Sequence, residues 1–485
     1  MTSPGPTPPA TDGRFRLPGS AAWVVAYLAV VAAPLVVIEL GSVPRRGFWI
    51  EFAVGLGFVG LAMMALQTVL TARVRRISLA VGQDRILQFH RQAGLVAFAI
   101  VLAHPALLVI AEPEYRSFLD PRENLPRAVA LTLVLVALPV LIVSSLWRER
   151  LRLPYQRWRL LHASLAALVL LVGLAHISQV RHYLANPWKQ GLWITIATAS
   201  AAGVIYARVV QPYRLRRHPY RVTAVELVAH RIWAIKLAPL RGRALRFRPG
   251  QFAFVTFADS PFALEQHPFS LASSSHDPET IEFAIRELGD FTSTIGTLEV
   301  DQPAFVHGPF GSLVIADDDP ADLVLLAGGI GLTPLLSIVR SRRDAGDQRQ
   351  ILLIHAVNTV DDLAYQQELT DYSADETMQF TYVPVVADPP PEWTGDVGYI
   401  TSELIANHLG GHDLTTPRYL LCGPPPMMEA LEKALRSVGV PLDRIDSERF
   451  DLGAANAVGE RHQRIRRAVL LLGAVLVALT ALVAL

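Results

Sequence analysis

A single cysteine, Cys422, stands in a chain of 485 residues. That scarcity excludes a disulfide framework, a cysteine-built zinc site and a cysteine-ligated cluster, so any metal must be held by histidine, carboxylate or a cofactor. Charge of one sign is equally lacking, because 44 Lys and Arg are matched by 43 Asp and Glu for a formal net charge of +1. No polyanion-binding footprint exists, and nucleic acid is not among the expected partners. Solenoid-type internal repeats are absent too. Charged residues make up only 18% of the chain against 51% hydrophobic ones, a balance that would leave a soluble protein short of polar surface. The length implies two or three structural units.

What is present is a series of long apolar runs. Six follow one another at roughly Ala21–Leu40, Gly47–Leu70, Gln88–Ile110, Ala128–Trp147, Arg159–Val180 and Trp188–Val210. Each approaches the ~20 residues that a helix needs to cross a bilayer core. Arginines orient the set. Arg14 and Arg16 precede the first run; Arg73, Arg75, Arg76 and Arg85 separate the second from the third. Arg148, Arg150, Arg152 and Arg157 lie between the fourth and fifth, and Arg214, Arg216, Arg217 and Arg221 follow the sixth. The alternate loops are mixed or acidic, as in Glu112, Glu114, Asp120 and Glu123, with Arg45 and Arg46 as exceptions. This places the N-terminus and everything just after Val210 in the cytoplasm of a multi-pass cell-membrane protein. The first run has a second reading as a cleaved signal peptide, with small residues Ala32 and Ala33 near its end. Before it, a Pro-, Thr- and Gly-rich stretch reads as a disordered tail.

The third run carries His90 and His104, and the fifth carries His162 and His176; each pair is separated by fourteen residues. Fourteen residues rise about 21 Å along a helix and return to within about 40° of the starting face. Both runs go from the cytoplasm outward, so His90 lies level with His162 and His104 with His176. Facing imidazoles at two depths describe two six-coordinate b-type haems stacked across the bilayer. The plainer reading is four interhelical hydrogen-bonding histidines or a proton path. Arg91, Arg157 and Arg159 stand near the inner level, as haem-propionate partners or as ordinary positive-inside charge. His182 lies off the face of His176 and reads as an interfacial loop residue.

From about Arg214 the pattern becomes soluble. Short β-rich runs such as Phe252–Phe257 and Ile281–Arg286, broken by Pro and Gly, suit a small antiparallel barrel. After the turn Asp317–Pro320, strand and helix alternate: Leu323–Ala327 then Pro334–Arg343, and Ile351–Val357 then Leu363–Leu369. That alternation predicts a parallel α/β sheet. The run Gly328-Gly-Ile-Gly-Leu-Thr-Pro334 follows an apolar strand and opens a helix, with Thr333 read as its N-cap and Pro334 as its first residue. Glycines there let a pyrophosphate approach the backbone at a helix N-terminus. At the far end, Arg461, Arg464, Arg466 and Arg467 precede Ala468–Leu485, apolar to its last residue. It reads as a seventh span, or else as an apolar helix packed on the other domains.

Several motifs then occur in order: Arg248-Pro-Gly-Gln-Phe252, His267-Pro-Phe-Ser270, Arg286-Glu-Leu-Gly-Asp-Phe-Thr292, Gly308-Pro-Phe-Gly311, the glycine run, Cys422-Gly-Pro-Pro-Pro426 and Glu448-Arg-Phe450. The set resembles the ferredoxin–NADP reductase family of flavin and nicotinamide modules. Joined to six spans with paired histidines, it resembles the NADPH oxidase and ferric reductase superfamily. The resemblance implies that His267, Pro268, Phe269 and Ser270 line the flavin, with Ser270 near its reactive nitrogen, and that Arg286, Gly289 and Thr292 hold the FAD pyrophosphate. It likewise implies that Gly328, Gly329, Gly331, Thr333 and Pro334 hold NADPH or NADH, that Cys422 and Gly423 sit beside the nicotinamide, and that Phe450 covers the flavin. Phe269 and Phe450 read alternatively as core aromatics, and Cys422 as an inert buried thiol.

Two departures stand out. Where many members place an arginine for the NADPH 2′-phosphate, this chain has Asn358; Arg340, Arg342 or Arg343 could substitute, or could form a solvated helix face. The chain also continues past Phe450.

The expected fold is therefore a membrane protein of several domains: a tail at 1–20, an all-α transmembrane di-haem domain at 21–210, an antiparallel β-barrel FAD domain at 214–316 and an α/β parallel-sheet nucleotide domain at 320–452. A basic linker at 453–467 and a further transmembrane helix at 468–485 complete it. The expected activity passes electrons from cytoplasmic NAD(P)H through FAD and two haems to an outer small acceptor, oxygen ahead of ferric chelate. A membrane cytochrome feeding a separate enzyme, and a helix-anchored flavoprotein without haem, are the rival readings. No protein partner is indicated.

Overall fold

In the computed structural model, residues 20–40, 44–74, 77–78, 81–179, 181–316, 319–410, 413–448 and 460–485 are described. Apolar sequence dictates the first part. Helices α1 (Ser20–Glu39), α2 (Phe48–Leu70), α3 (Gln83–Ala111), α4 (Leu125–Leu146), α5 (Tyr155–Gln179) and α6 (Pro187–Ile205) coincide with the six apolar runs. Helix α6 continues through a π-turn at Tyr206–Val210 and a further turn, Gln211–Leu215. Local chemistry sets the ends. At the start of α4 the Asn124 side chain accepts from the Arg127 amide at 3.0 Å, and a proline occupies the first turn, an N-terminal signature readable in the sequence.

Among the described residues six helices are long and apolar enough to cross a membrane; five are α2 to α6, and the sixth is Gln463–Ala484 near the chain end. Trp49 and Trp188 are exposed at the starts of α2 and α6, as expected of side chains at a membrane interface. Helix α2 is the centre of the bundle: 67% of its apolar window is buried, against 11–22% for α3 to α6. The exceptions to the arginine rule have local partners. Arg45 pairs with Glu39 at 2.9 Å, and Arg46 donates to the Tyr183 hydroxyl at 3.0 Å, which in turn donates to Glu51 at 2.8 Å.

Beyond the bundle, six antiparallel strands form a sheet in the order β4-β3-β6-β1-β2-β5. They are β1 (Tyr220–Ala229), β2 (Ile232–Pro239), β3 (Phe252–Phe257), β4 (His267–Ser270), β5 (Ile281–Arg286) and β6 (Pro303–Phe310). A bridge between Leu271 and Phe283 joins the two edges into a barrel. A second, parallel sheet has the order β10-β9-β8-β7-β11-β12, with β7 (Leu323–Gly328), β8 (Ile351–Val357), β9 (Phe380–Val386), β10 (Asp396–Val397), β11 (Arg418–Cys422) and β12 (Ile445–Ser447). Helices α7 (Leu332–Asp344), α8 (Gln366–Ala374), α9 (Ser402–His408) and α10 (Pro425–Ser437) alternate with its strands. Leu323, Leu325 and Ala327 of β7 enter one core, Val324 and Leu326 another. Burial on both faces is why such strands read as unbroken apolar runs.

The last helix, α11 (Glu460–Ala484), returns to the bundle. Its Val469, Leu472 and Leu476 share a core with Val31 and Leu35 of α1, Leu56, Val59 and Met63 of α2, and Ala93 and Ala97 of α3. Close approach depends on small residues: a Cβ on Gly55 would lie 2.5 Å from the Thr480 methyl. The apolar tail is thus a member of the helix bundle.

Candidate functional site

The barrel docks on one end of the bundle, formed by the C-terminus of α2 and the N-termini of α3 and α5. Arg73, just past α2, donates to Gln266 at 2.6 Å and lies 3.7 Å over the Phe254 ring. Gln156 donates to Glu265 at 3.2 Å, and Arg159 donates to the Leu264 carbonyl. We call this end proximal.

His90 and His162, near the starts of α3 and α5, meet there, with ring centres 6.2 Å apart and planes at 62°. His162 Nδ1 lies 3.0 Å from Ser145 Oγ of α4, whereas His90 Nδ1 is buried with no hydrogen-bond partner among the described residues. Two imidazoles bonded to one metal ion at about 2 Å each hold their ring centres about 6 Å apart. The observed separation fits a shared ion.

One bundle-length away, His104 Nδ1 lies 2.8 Å from the Ala53 carbonyl. A carbonyl only accepts, so Nδ1 carries the proton and Nε2 is left with a lone pair. Gly57 makes this possible, because a Cβ there would sit 2.8 Å from His104 Nδ1. His176 of α5 is within charge–charge range of His104 and of Arg127. His182, expected in a loop, instead lies in a one-turn helix, Arg181–Leu184, and faces the Pro44 carbonyl at 3.2 Å at this distal end.

In the barrel, β4 pairs with β3 so that Phe252 opposes Ser270 and Val255 opposes His267. His267 stacks on Phe291 with centres 3.9 Å apart and planes at 12°, and Phe269 lies nearby. Its Nε2 is buried with no partner among the described residues. Burial, helped by Arg159, lowers His267 to about 4, so the ring is neutral near pH 7. Pro268, Phe269 and Ser270 complete a strip with one orphaned polar atom, which suits a flat, hydrogen-bonding ligand. Arg286, at the end of β5, pairs with Asp362 at 3.2 Å. The Thr292 hydroxyl accepts from the Leu288 and Gly289 amides at 2.8 and 3.0 Å, folding that loop on itself.

The parallel sheet reverses its strand order between β7 and β11, the crevice where such sheets bind ligands. Gly328 ends β7 and Gly329 and Gly331 follow it, while Cys422 ends β11 and Gly423 follows that strand. A Cβ on Gly331 would lie 2.2 Å from the Cys422 carbonyl, and one on Gly329 3.5 Å from Arg286. The barrel arginine and the glycine loop therefore adjoin. Burial, with Glu448 as a lesser cause, pushes the Cys422 thiol far up, which keeps it protonated. The expected N-cap is corrected: α7 opens at Leu332 with Gly331 as its N-cap, two residues earlier than expected, after a 3-10 turn at Gly329–Gly331, and the Thr333 hydroxyl donates back to Ile330 at 2.9 Å. Pro334 is accordingly the third helical residue. Phe450 lies outside the described residues.

Sequence reasoning missed several residues. His355 of β8, fully buried, faces the Gly329 carbonyl at 3.1 Å and the Tyr382 hydroxyl at 3.4 Å, and burial lowers it to about 4. Arg340 is no candidate for a 2′-phosphate, because Glu282 and Glu368 hold it at 3.0 and 2.6 Å between the two soluble domains. Arg342 pairs with Asp347 at 2.8 Å and Arg343 with Asp344 at 3.5 Å. Asn358 is exposed just past β8. Ser145, the Ala53 carbonyl and Gly57 carry no local signal that could have marked them.

Comparison with known proteins bears on each part. Residues 56–173 match the family described as ferric reductase like transmembrane component, 221–308 an FAD-binding domain, and 325–433 an oxidoreductase NAD-binding domain. Among curated proteins, the reductase component of propane 2-monooxygenase from Rhodococcus jostii (strain RHA1) is 31% identical over 240 residues, covering 47% of this chain and 62% of that protein. NADH-cytochrome b5 reductase 1 from Cryptococcus neoformans var. neoformans serotype D (strain JEC21) is 33% identical over 177 residues, 34% of this chain and 58% of that protein. The chain thus spans less than two thirds of these relatives. Among solved structures, the Amycolatopsis cytochrome P450 reductase GcoB aligns at 24% identity and a TM-score of 0.43, covering 48% of this chain and 69% of that one. The ferredoxin reductase in carbazole 1,9a-dioxygenase aligns at 26% and 0.42, with the same coverages.

Proposed function

Because the chain carries the domain architecture of the NADPH oxidase and ferric reductase superfamily, we propose that it moves electrons from NAD(P)H on the cytoplasmic side across the bilayer to an acceptor outside, oxygen before ferric chelate. The observation that carries the reading is the His90–His162 pair, 6.2 Å between ring centres, at the bundle end on which the flavin-binding barrel docks.

When bound, FAD would turn the electron pair of a hydride into single electrons, and b-type haem would carry electrons singly. The chain's own residues divide the work. The glycine turn Gly328–Gly331, with Thr333 and Pro334 in the following helix, receives the dinucleotide, and Cys422 and Gly423 close the crevice beside it. His267, Pro268, Phe269 and Ser270 would seat the flavin ring, and Arg286, Gly289 and Thr292 would hold its phosphates. His90 with His162 would hold the proximal haem, and His104 with His176 the distal one. Arg73, Gln156 and Arg159 fix the barrel against the proximal end of the bundle.

The test adds NADH or NADPH to purified full-length protein and follows haem reduction, oxygen uptake and ferric-citrate reduction in parallel. Reduction of a b-type spectrum followed by oxygen uptake is expected. Ferric-citrate reduction without oxygen uptake would reassign the acceptor. A flavin that is reduced while no haem spectrum exists overturns the reading and leaves an anchored flavoprotein.

A further inference from the structure

The serine on α4 beside the proximal pair has no part in the assignments above, yet its hydrogen bonds are fully determined. Ser145 Oγ lies 2.6 Å from the Leu141 carbonyl, one helical turn back. It also lies 3.0 Å from His162 Nδ1 and 3.4 Å from Trp158 Nε1. A carbonyl only accepts and an indole N–H only donates. The single hydroxyl proton therefore goes to Leu141, and the oxygen accepts from both Trp158 and His162. His162 is thereby fixed with its proton on Nδ1, and its Nε2 keeps its lone pair.

We propose that Ser145 is a positioning residue: by accepting the Nδ1 proton of His162 it selects that ring's tautomer and orientation and sets the reduction potential of the centre held by His90 and His162. The inference rests on the haem reading above. Partners behind a metal-bound histidine orient it and raise its basicity, and a more basic ligand favours the oxidised metal. The distal pair has an equivalent device of different chemistry, the Ala53 carbonyl behind His104 at 2.8 Å. Only the proximal device uses a side chain, and its oxygen is shared with Trp158. Trp158 itself is 5.4 Å from His162, ring centre to ring centre, close enough to shape the same pocket.

The sign follows. Ser145→Ala leaves the His162 N–H without its acceptor, weakens the ligand and makes the proximal centre easier to reduce. Trp158→Phe removes a competing donor, strengthens the His162–Ser145 bond and makes the centre harder to reduce. Ser145→Thr keeps a hydroxyl that can bond both the preceding turn and the ring, and it stays near wild type.

The measurement is a potentiometric titration of the b-type absorbance in full-length protein, with haem per flavin determined in each variant. For Ser145→Ala a tenfold rise in the reduced-to-oxidised ratio of one of two centres is expected at fixed potential, which is about 59 mV for a one-electron couple. A shift of opposite sign in Trp158→Phe and a wild-type value in Ser145→Thr complete the support. If Ser145→Ala loses the haem, a lowered potential in Trp158→Phe beside an unchanged one in Ser145→Thr carries the decision, and an unmoved potential in Trp158→Phe overturns it. Two intact centres with unmoved potentials in Ser145→Ala and Trp158→Phe overturn this inference and leave the proposed function standing. A wild-type protein with no b-type spectrum overturns both.

Discussion

Replacing Gly57 by alanine inserts one methyl group where the distal histidine is held. The new Cβ would lie 2.8 Å from His104 Nδ1, 3.0 Å from Cε1 and 3.1 Å from Cγ. Carbon contacts are comfortable from about 3.5 Å, so the ring must retreat by about 0.7 Å or leave its rotamer. It cannot do so and keep the 2.8 Å bond to the Ala53 carbonyl, since that bond lies on the same face of α2. Overpacking costs about 1–3 kcal/mol, and the broken hydrogen bond about 1 kcal/mol more. A total near 3 kcal/mol corresponds to a little over a hundredfold in affinity for whatever His104 binds. The assay is haem per flavin in purified protein, with a potentiometric titration of what remains. About half the b-type haem should be lost, with NAD(P)H-driven flavin reduction unchanged. Gly191→Ala in α6 is the control, for a Cβ there meets nothing within 4 Å and helix propensity favours alanine. Two haems per flavin at unchanged potentials in Gly57→Ala would refute the packing argument.

Three further outcomes follow from the geometry. Gly331→Ala places a Cβ 2.2 Å from the Cys422 carbonyl, so the KM for NADH or NADPH should rise at least tenfold with flavin content unchanged; an unaltered KM would remove this loop from the dinucleotide site. His355 titrates at about 4 in the fold against an ordinary 6.5, so between those values the unfolded chain binds more protons. Stability should therefore be full above pH 6.5 and decline as pH falls towards 4, by about 3 kcal/mol in all. Thermal unfolding of His355→Gln against wild type across that window should show a shallower slope, and parallel curves would contradict it. Deleting residues 460–485 strips α11 from the faces of α1, α2 and α3, and should lower the bundle's thermal stability in detergent and its haem retention. Intact membrane attachment and undiminished NAD(P)H-driven haem reduction would show that α11 is dispensable.

Much of the architecture is written in local patterns. A run of apolar residues long enough to span a bilayer needs no knowledge of its neighbours, so α1 to α6 fall where hydropathy puts them. The fourteen-residue spacing of His90 to His104 and of His162 to His176 is helical geometry alone, and it places each pair on one face at two depths. Turn chemistry marks the glycine run after β7, though not the residue at which α7 opens, because a 3-10 turn takes up the first glycines. The alternation of strand and helix predicts the parallel sheet for the same local reason.

What the tertiary structure decided are the meetings between segments far apart in the chain. Ser145 reaches His162 from another helix, and the Ala53 carbonyl meets His104 only because Gly57 lacks a side chain. Arg340 is committed to Glu282 and Glu368 rather than to a phosphate, and the apolar tail lies among α1, α2 and α3 rather than elsewhere. Each depends on which faces pack together, a property of the whole chain's close packing that no periodicity within one segment encodes. Sequence alone therefore determined the helices, the depths of the four imidazoles and the order of the cofactor motifs. Packing alone determined which atoms stand behind those imidazoles, because a hydrogen bond between helices exists only once the helices are set side by side.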